Sequence, residues 1–200
     1  MEVQSPTGAR ARIKVASLNI KGRASGEITK LFHIPQLMRE KGVVIMALQE
    51  THKTDKLASV FESTFGQSYR LIHSPDPDSR NARGVAFVLN KRMTRTEDVR
   101  AVALVPGRAL LVSIPWKDET RMTVLNVYAP NSPGEMRELW TSLRNSLRGM
   151  QPARVDVMLG DFNLVEDALD RIPSSQGDEQ ATELLRTIRT NLSLDRKSVV

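Results

Sequence analysis

The sequence predicts an α/β fold in which two mixed β-sheets pack face to face and carry helices on their outer surfaces. Three observations predict it. Strands alternate with helices at both ends of the chain, and five β-rich runs follow one another in the middle. Residues 43–48 and 155–159 are short apolar runs of the kind a sheet buries on both faces.

The elements follow in order. Residues 1–12 are polar and read as a flexible basic tail, and residues 13–20 as the first strand. Lys21-Gly22-Arg23 turns the chain into a helix over about residues 27–41, with Ile28, Leu31, Phe32 and Met38 at helical spacing. Pro35 lacks an N–H and is expected to kink this helix or to start a second one. After Gly42 the apolar run 43–48 empties into Gln49-Glu50-Thr51-His52, and residues 55–65 suit a short helix capped by Thr54 or Asp55. Strands are expected at 69–73, 84–90, 99–105, 109–116 and 122–128, with a Pro- and Asp-rich loop at 74–81. Residues 135–150 place Met136, Leu139, Trp140, Leu143 and Leu147 on one helical face, Trp140 anchoring it to the core. The strand 155–159 leads into Gly160-Asp161-Phe162-Asn163, and a last helix spans about residues 178–192. Asp167 and Asp170 read as helix-start or helix-surface residues, and the eight Met as core filler.

The 200 residues suffice for one domain with a sizeable core, and neither a repeat nor a linker interrupts them. The absence of Cys excludes a disulfide framework, a thiolate metal site and a cysteine nucleophile. Neither a membrane-spanning apolar stretch nor a secretory signal is present, so a soluble intracellular protein is expected. The net charge is +6. Residues 1–160 carry 24 Lys/Arg against 15 Asp/Glu, whereas residues 161–200 carry 5 against 8. A basic body of this kind suits a polyanion such as nucleic acid.

Several apolar strands end abruptly in polar residues that a merely structural strand does not require. The first ends at Asn19, the second at Glu50, a later one at Tyr128-Ala129-Pro130-Asn131, and the last at Asp161 and Asn163. Brought together, these ends make one rim of carboxylates, amides and a phenol. Oxygen donors without Cys or paired His suit a hard cation such as Mg²⁺ rather than zinc. His52 reads as a solvated loop histidine rather than a catalytic base.

At these residues the sequence resembles the endonuclease/exonuclease/phosphatase superfamily. Leu18-Asn19, Leu48-Gln49-Glu50-Thr51, Val127-Tyr128-Ala129-Pro130-Asn131 and Gly160-Asp161-Phe162-Asn163 match its motifs in order. The Gln-Glu-Thr-His form and the Gly84-Val85-Ala86-Phe87 strand are most similar to the apurinic-endonuclease-like domain of LINE-type (non-LTR) retrotransposons. The resemblance implies a four-layer α/β sandwich over residues 13–194 and a DNA-nicking endonuclease that uses Mg²⁺, with Mn²⁺ as a substitute. It implies that Asn19 and Glu50 hold the metal and that Asp161 orients and deprotonates the attacking water. On the same resemblance Asn163 would steady the phosphate or the metal's water shell, Tyr128 would donate to a phosphate oxygen, and Asn131 would touch the nucleic-acid backbone. The implied partners are DNA and a downstream reverse-transcriptase domain, in a nuclear setting and without a membrane.

The family pattern continues with a Ser-x-Ile-Asp-type strand and an Asp-His pair that this chain lacks, its three histidines (His33, His52, His73) all preceding the third motif. The fold is therefore expected to be incomplete at the C-terminus, with an open sheet edge. Asp195-Arg196-Lys197-Ser198-Val199-Val200 matches the translation of a common sequencing-adapter string and reads as a non-native tail at 195–200. Two other functions stay open on the residues alone. One is a metal-dependent phosphatase or phosphodiesterase of the same superfamily, acting on inositol phosphate, lipid or RNA. The other is a catalytically dead nucleic-acid-binding remnant.

Overall fold

The computed structural model describes residues 13–21, 27–52, 55–78, 83–116, 120–150, 154–164 and 179–194. The expected tails, the Thr54 cap, Asp167 and Asp170 lie outside them. The element order is β1 (Val15–Asn19), α1 (Glu27–Lys41), β2 (Ile45–Gln49), α2 (Asp55–Phe65), β3 (Tyr69–Ser74), β4 (Val85–Asn90), β5 (Arg100–Val105), β6 (Ala109–Pro115), β7 (Arg121–Tyr128), α3 (Pro133–Gly149), β8 (Val157–Asp161) and α4 (Glu179–Asn191).

Two mixed four-stranded sheets result, ordered β1-β2-β4-β3 and β5-β6-β7-β8. Strand alternation explains the layers, because successive side chains point to opposite faces. On β2, Ile45 and Ala47 face the second sheet, meeting Leu110, Val112, Ile114 and Val124 together with Phe87 and Leu89 of β4. Met46 and Leu48 point the other way, onto Leu31, Ile34 and Met38 of α1 and Phe61 of α2. In the second sheet Leu111, Leu125 and Val127 pack outward against Met136, Leu139, Trp140, Leu143 and Leu147 of α3 and Ala181, Leu185 and Ile188 of α4. The expected core face of α3 is thus the buried one. The order of layers is helices, sheet, sheet, helices.

Two expectations are corrected. No second helix starts at Pro35. One helix spans it because Leu31, Ile34 and Met38 on both sides are buried on the first sheet, and the Pro35 carbonyl accepts a hydrogen bond from the Tyr69 hydroxyl at 3.0 Å. The last strand extends past residue 159 through Gly160 to Asp161, because its parallel pairing with β7 continues to Tyr128↔Asp161. β1 and β8 are edge strands, and Leu18 on β1 is 37% exposed. Among the described residues no helix is long and apolar enough to cross a membrane.

Among the described residues a polar cluster interrupts the inter-sheet core. Gln49 and Asn126 share the alternation of Ala47 and Val124, so both face inward, and both are buried. Gln49 Nε2 donates to Asn126 Oδ1 at 2.7 Å and to Ser17 Oγ at 3.0 Å. Asn126 Nδ2 donates to the carbonyls of Leu48 (2.9 Å) and Ala86 (3.0 Å), which face each other across β2 and β4. A buried amide without a partner costs ~1–3 kcal/mol, so this cluster sets the registration of one sheet on the other. Asn126→Leu is accordingly expected to lower unfolding free energy by about 2 kcal/mol despite its added apolar surface, because a Gln49 amide hydrogen loses its acceptor. Urea unfolding of the variant checks this, and an unchanged midpoint would refute it.

Candidate active site at the rim between the sheets

The parallel pairs β1/β2 and β7/β8 run their C-terminal ends to the same rim. Asn19 pairs with Gln49 in the first sheet and Tyr128 with Asp161 in the second. Glu50 follows β2 directly. Asn19 Nδ2 donates to Glu50 Oε1 at 2.9 Å and to Asp161 Oδ2 at 2.7 Å, joining groups 31 and 142 positions away in the chain. The Asn19 carbonyl oxygen turns back to accept the Lys21 N–H at 2.9 Å, which fixes the amide's orientation.

Asp161 is held from its own side as well. Its Oδ1 accepts the Asn163 N–H at 3.3 Å, and Asn163 Nδ2 donates to the Ala129 carbonyl at 2.7 Å. Between them Phe162 stacks on the buried Trp140 of α3, with ring centroids 6.1 Å apart. The Asp161 turn is therefore pinned to β7 by Asn163 and to α3 by Phe162. Asn131 is exposed at the start of the loop into α3 and is not drawn into this cluster.

Backbone strain concentrates here. Among the described residues, positive φ outside glycine occurs at Lys21 (44°), Glu50 (53°), His52 (46°), Arg83 (62°), Asn163 (45°) and Ser193 (53°), and all but Ser193 flank the rim. Such conformations cost on the order of 1–3 kcal/mol each and gather at functional sites. Two glycines serve the same region. Gly160 has φ 144°, and a Cβ there would lie 1.9 Å from the Val127 carbonyl oxygen. Gly84 has φ 94°, and a Cβ would meet Thr51 Oγ1 at 2.7 Å, in the loop that carries Glu50.

Electrostatics set the protonation states. Burial acts to raise the Glu50 carboxyl, but hydrogen bonds from Asn19, Tyr128 and His52 outweigh it, and the group lies below its ordinary value. Burial, the Glu50 charge and Asp161 push the Tyr128 phenol up against the opposing pull of Arg108, so it keeps its proton through neutral pH. His52 corrects an expectation. It is not a solvated loop residue, for its side chain is 14% exposed and its Nε2 lies 3.7 Å from Glu50 Oε2. The backbone is left-handed at both Glu50 and His52, where the imidazole lies back on the carboxylate.

Sequence reasoning missed Arg108. Its guanidinium lies 4.9 Å from the centroid of the Tyr128 ring. The only signal was a basic residue directly before the apolar strand β6.

The donor set fits a hard divalent cation. Glu50 and Asp161 offer carboxylate oxygens around the Asn19 amide, one of them held ionised by its neighbours. Among the described residues no group of three His, Cys, Asp or Glu side chains converges, so a cation would draw most of its ligands from water and phosphate, as Mg²⁺ commonly does.

Comparison with solved structures shows the class of fold. The chain is similar to the AP endonuclease LMAP from Leishmania major (TM-score 0.69, 18% identity, 90% of this chain and 66% of that one). It is also similar to an AP endonuclease from Archaeoglobus fulgidus (TM-score 0.65, 19% identity, 90% and 70%). D. rerio TDP2 complexed with single strand DNA product is less similar (TM-score 0.52, 13% identity, 78% and 62%). The fold is that of these AP endonucleases, two mixed four-stranded sheets with helices on their outer faces.

In sequence, the chain is similar to the Transposon TX1 uncharacterized 149 kDa protein of Xenopus laevis, 24% identical over 183 residues. That match takes in 91% of this chain and 13% of the transposon protein. The chain thus spans a small part of that relative and about two thirds of the AP endonucleases. The likeness in fold is thus to AP endonucleases and the likeness in sequence to a transposon protein. No family model matches the chain.

Two outcomes are expected from the geometry. Gly160→Ala is expected to destabilise the fold by about 2 kcal/mol or more, since the clash is with β7 backbone rather than a movable side chain. Thermal unfolding checks it. Because the Glu50 carboxyl is lowered in the folded state, its contribution to stability is complete above the unfolded-state value and is lost as pH falls through the folded one. Glu50→Gln is therefore expected to flatten the acid limb of a plot of Tm against pH, and an unaltered limb would contradict the assignment.

Proposed function

We propose that this rim hydrolyses phosphodiester bonds in DNA, as the nicking endonuclease domain of a non-LTR retroelement. The observation that carries the reading is the Asn19 amide donating at once to Glu50 of one sheet and Asp161 of the other. The likeness to AP endonucleases and to a transposon protein supports it, and so does the basic body of the chain. Its partners are DNA and, in the parent protein, a reverse-transcriptase domain that would extend the 3′-hydroxyl left by the nick.

In this mechanism Glu50 and Asn19 would hold Mg²⁺, or Mn²⁺ in its place, Asn19 through its amide oxygen once the amide turns from the Lys21 N–H toward the ion. Bound there, the ion would supply charge neutralisation at the scissile phosphate and its leaving oxygen. Asp161, oriented by Asn19 and by the Asn163 N–H, accepts a proton from the attacking water as its oxygen adds to phosphorus, while the bond from phosphorus to the 3′-oxygen breaks and that oxygen leaves to take a proton from solvent. Tyr128 keeps its proton and rests on Glu50, from which it donates to a phosphate oxygen as charge accumulates there. Asn163 fixes the Asp161 turn through Ala129, and its second amide hydrogen would steady the phosphate or the metal's water shell. Asn131, exposed beside the rim, contacts the nucleic-acid backbone.

Supercoiled-plasmid nicking in Mg²⁺ by the parent chain tests the reading. Glu50→Gln and Asp161→Asn are each expected to slow nicking about 100- to 1000-fold, the ~2.7–4 kcal/mol that loss of one transition-state donor costs. Wild-type rates in either variant would overturn it. The 200 residues contain no Asp-His pair, so this chain by itself is expected to nick far more slowly than the parent. Mg²⁺ binding has a readout apart from turnover. At 100 times its dissociation constant the ion should stabilise the wild-type fold by about 2.7 kcal/mol, and Glu50→Gln should remove most of that gain.

A further inference from the structure

Arg108 occupies an unusual position for a charged residue. It directly precedes β6, opposite Tyr128 across the β6–β7 pair, where the Tyr128 N–H donates to the Arg108 carbonyl at 2.8 Å. Its guanidinium is largely buried and lies over the Tyr128 ring face, 4.9 Å from the centroid. Nη1 donates to the Tyr128 carbonyl at 3.4 Å, and Nη2 pairs with Glu135 Oε2 on α3 at 3.4 Å.

The other Glu135 oxygen pairs with Arg83 at 3.5 Å, and Arg83 reaches the buried Asp76 at 3.1 Å. A chain of charges thus runs from the β3–β4 connection through α3 to the ring of Tyr128. A planar guanidinium is suited to this place. It can stack on a ring and keep its forked donors on a carbonyl and a carboxylate at the same time, which a lysine ammonium cannot.

We propose that Arg108 is a positioning residue: anchored by Glu135 and stacked on the Tyr128 ring, it holds the phenol hydroxyl against Glu50 and acts on the reaction only through that hydroxyl. The kinetic part of this inference rests on the nicking activity proposed above, while the placement of the ring does not.

The test separates the two. The chain has two tyrosines, Tyr69 and Tyr128, and Tyr69 bonds to Pro35 on the outer helix. With 3-fluorotyrosine incorporated, ¹⁹F spectra should give one resonance for each, with Tyr69 as internal reference. Arg108→Met is expected to move the Tyr128 resonance and leave the Tyr69 resonance in place. Arg108→Lys should move it nearly as far, and Glu135→Gln should move it part of the way in the same direction. A stationary Tyr128 resonance in a folded Arg108→Met or Arg108→Lys chain would overturn the proposal.

In nicking by the parent chain, Arg108→Met is expected to lower kcat about tenfold with KM for plasmid unchanged. In a Tyr128→Phe background the same change should lower kcat little further. A raised KM would make Arg108 a direct DNA contact, and multiplying losses would make it act independently of Tyr128. Either result overturns the proposal. If the wild-type parent does not nick at all, the proposed function fails, and the ¹⁹F shift alone decides the role of Arg108.

Discussion

Two carboxylates from different sheets can share one amide only if the sheets cannot slide, and the buried contact between Gln49 and Asn126 imposes that condition. Apolar packing between sheets is strong but nearly indifferent to small displacements, whereas a buried amide has acceptors at fixed points. Gln49 bonds Asn126 across the gap, and Asn126 bonds the Leu48 and Ala86 carbonyls in return. The next residue after Gln49 is Glu50. A shift of about an ångström between sheets would break the amide contacts and the Asn19 bridge together.

The rim stands on that foundation and is itself strained. Glu50 and His52 adopt left-handed backbone, and so does Arg83, whose carbonyl accepts the His52 N–H at 2.9 Å. Gly84 lets these loops approach, and Gly160 lets β8 lie against β7 as far as Asp161. On the outer side, Trp140 stacks on Phe162 and the Arg108 guanidinium lies over the ring of Tyr128. The polar groups at the rim are thus supported from the inter-sheet core, from α3 and from their own turns. Preorganisation of this kind is what the hydrolysis proposed above requires, since groups already in place cost nothing to reorganise during a reaction.

Most of this was legible in the residues because strand and helix periodicities are local. The apolar run ending in Gln49-Glu50, the Met136-Leu139-Trp140-Leu143-Leu147 face and the polar strand ends at Asn19, Tyr128 and Asp161 all declare themselves within a few positions. What escaped depends on partners distant in the chain. His52 read as solvated because nothing local says that a left-handed turn folds it onto Glu50. Pro35 left a kink or a second helix open because its missing N–H is a local fact, while the burial that keeps one helix running through it is not. Arg108 carries no signal of its own until β6 pairs with β7.

The sequence by itself therefore determined the class of fold, the order of its elements and the residues that end its apolar strands. Each of these follows from alternation, composition and motif within short windows. Only the tertiary structure decided that one Asn19 amide joins Glu50 to Asp161, that Asn163 turns back to Ala129, and that Arg108 covers Tyr128. Those relations are set by the stacking of one sheet on another and by the direction of side chains at the strand ends. Such contacts span up to 142 positions, and they exist only once the two sheets have closed on each other.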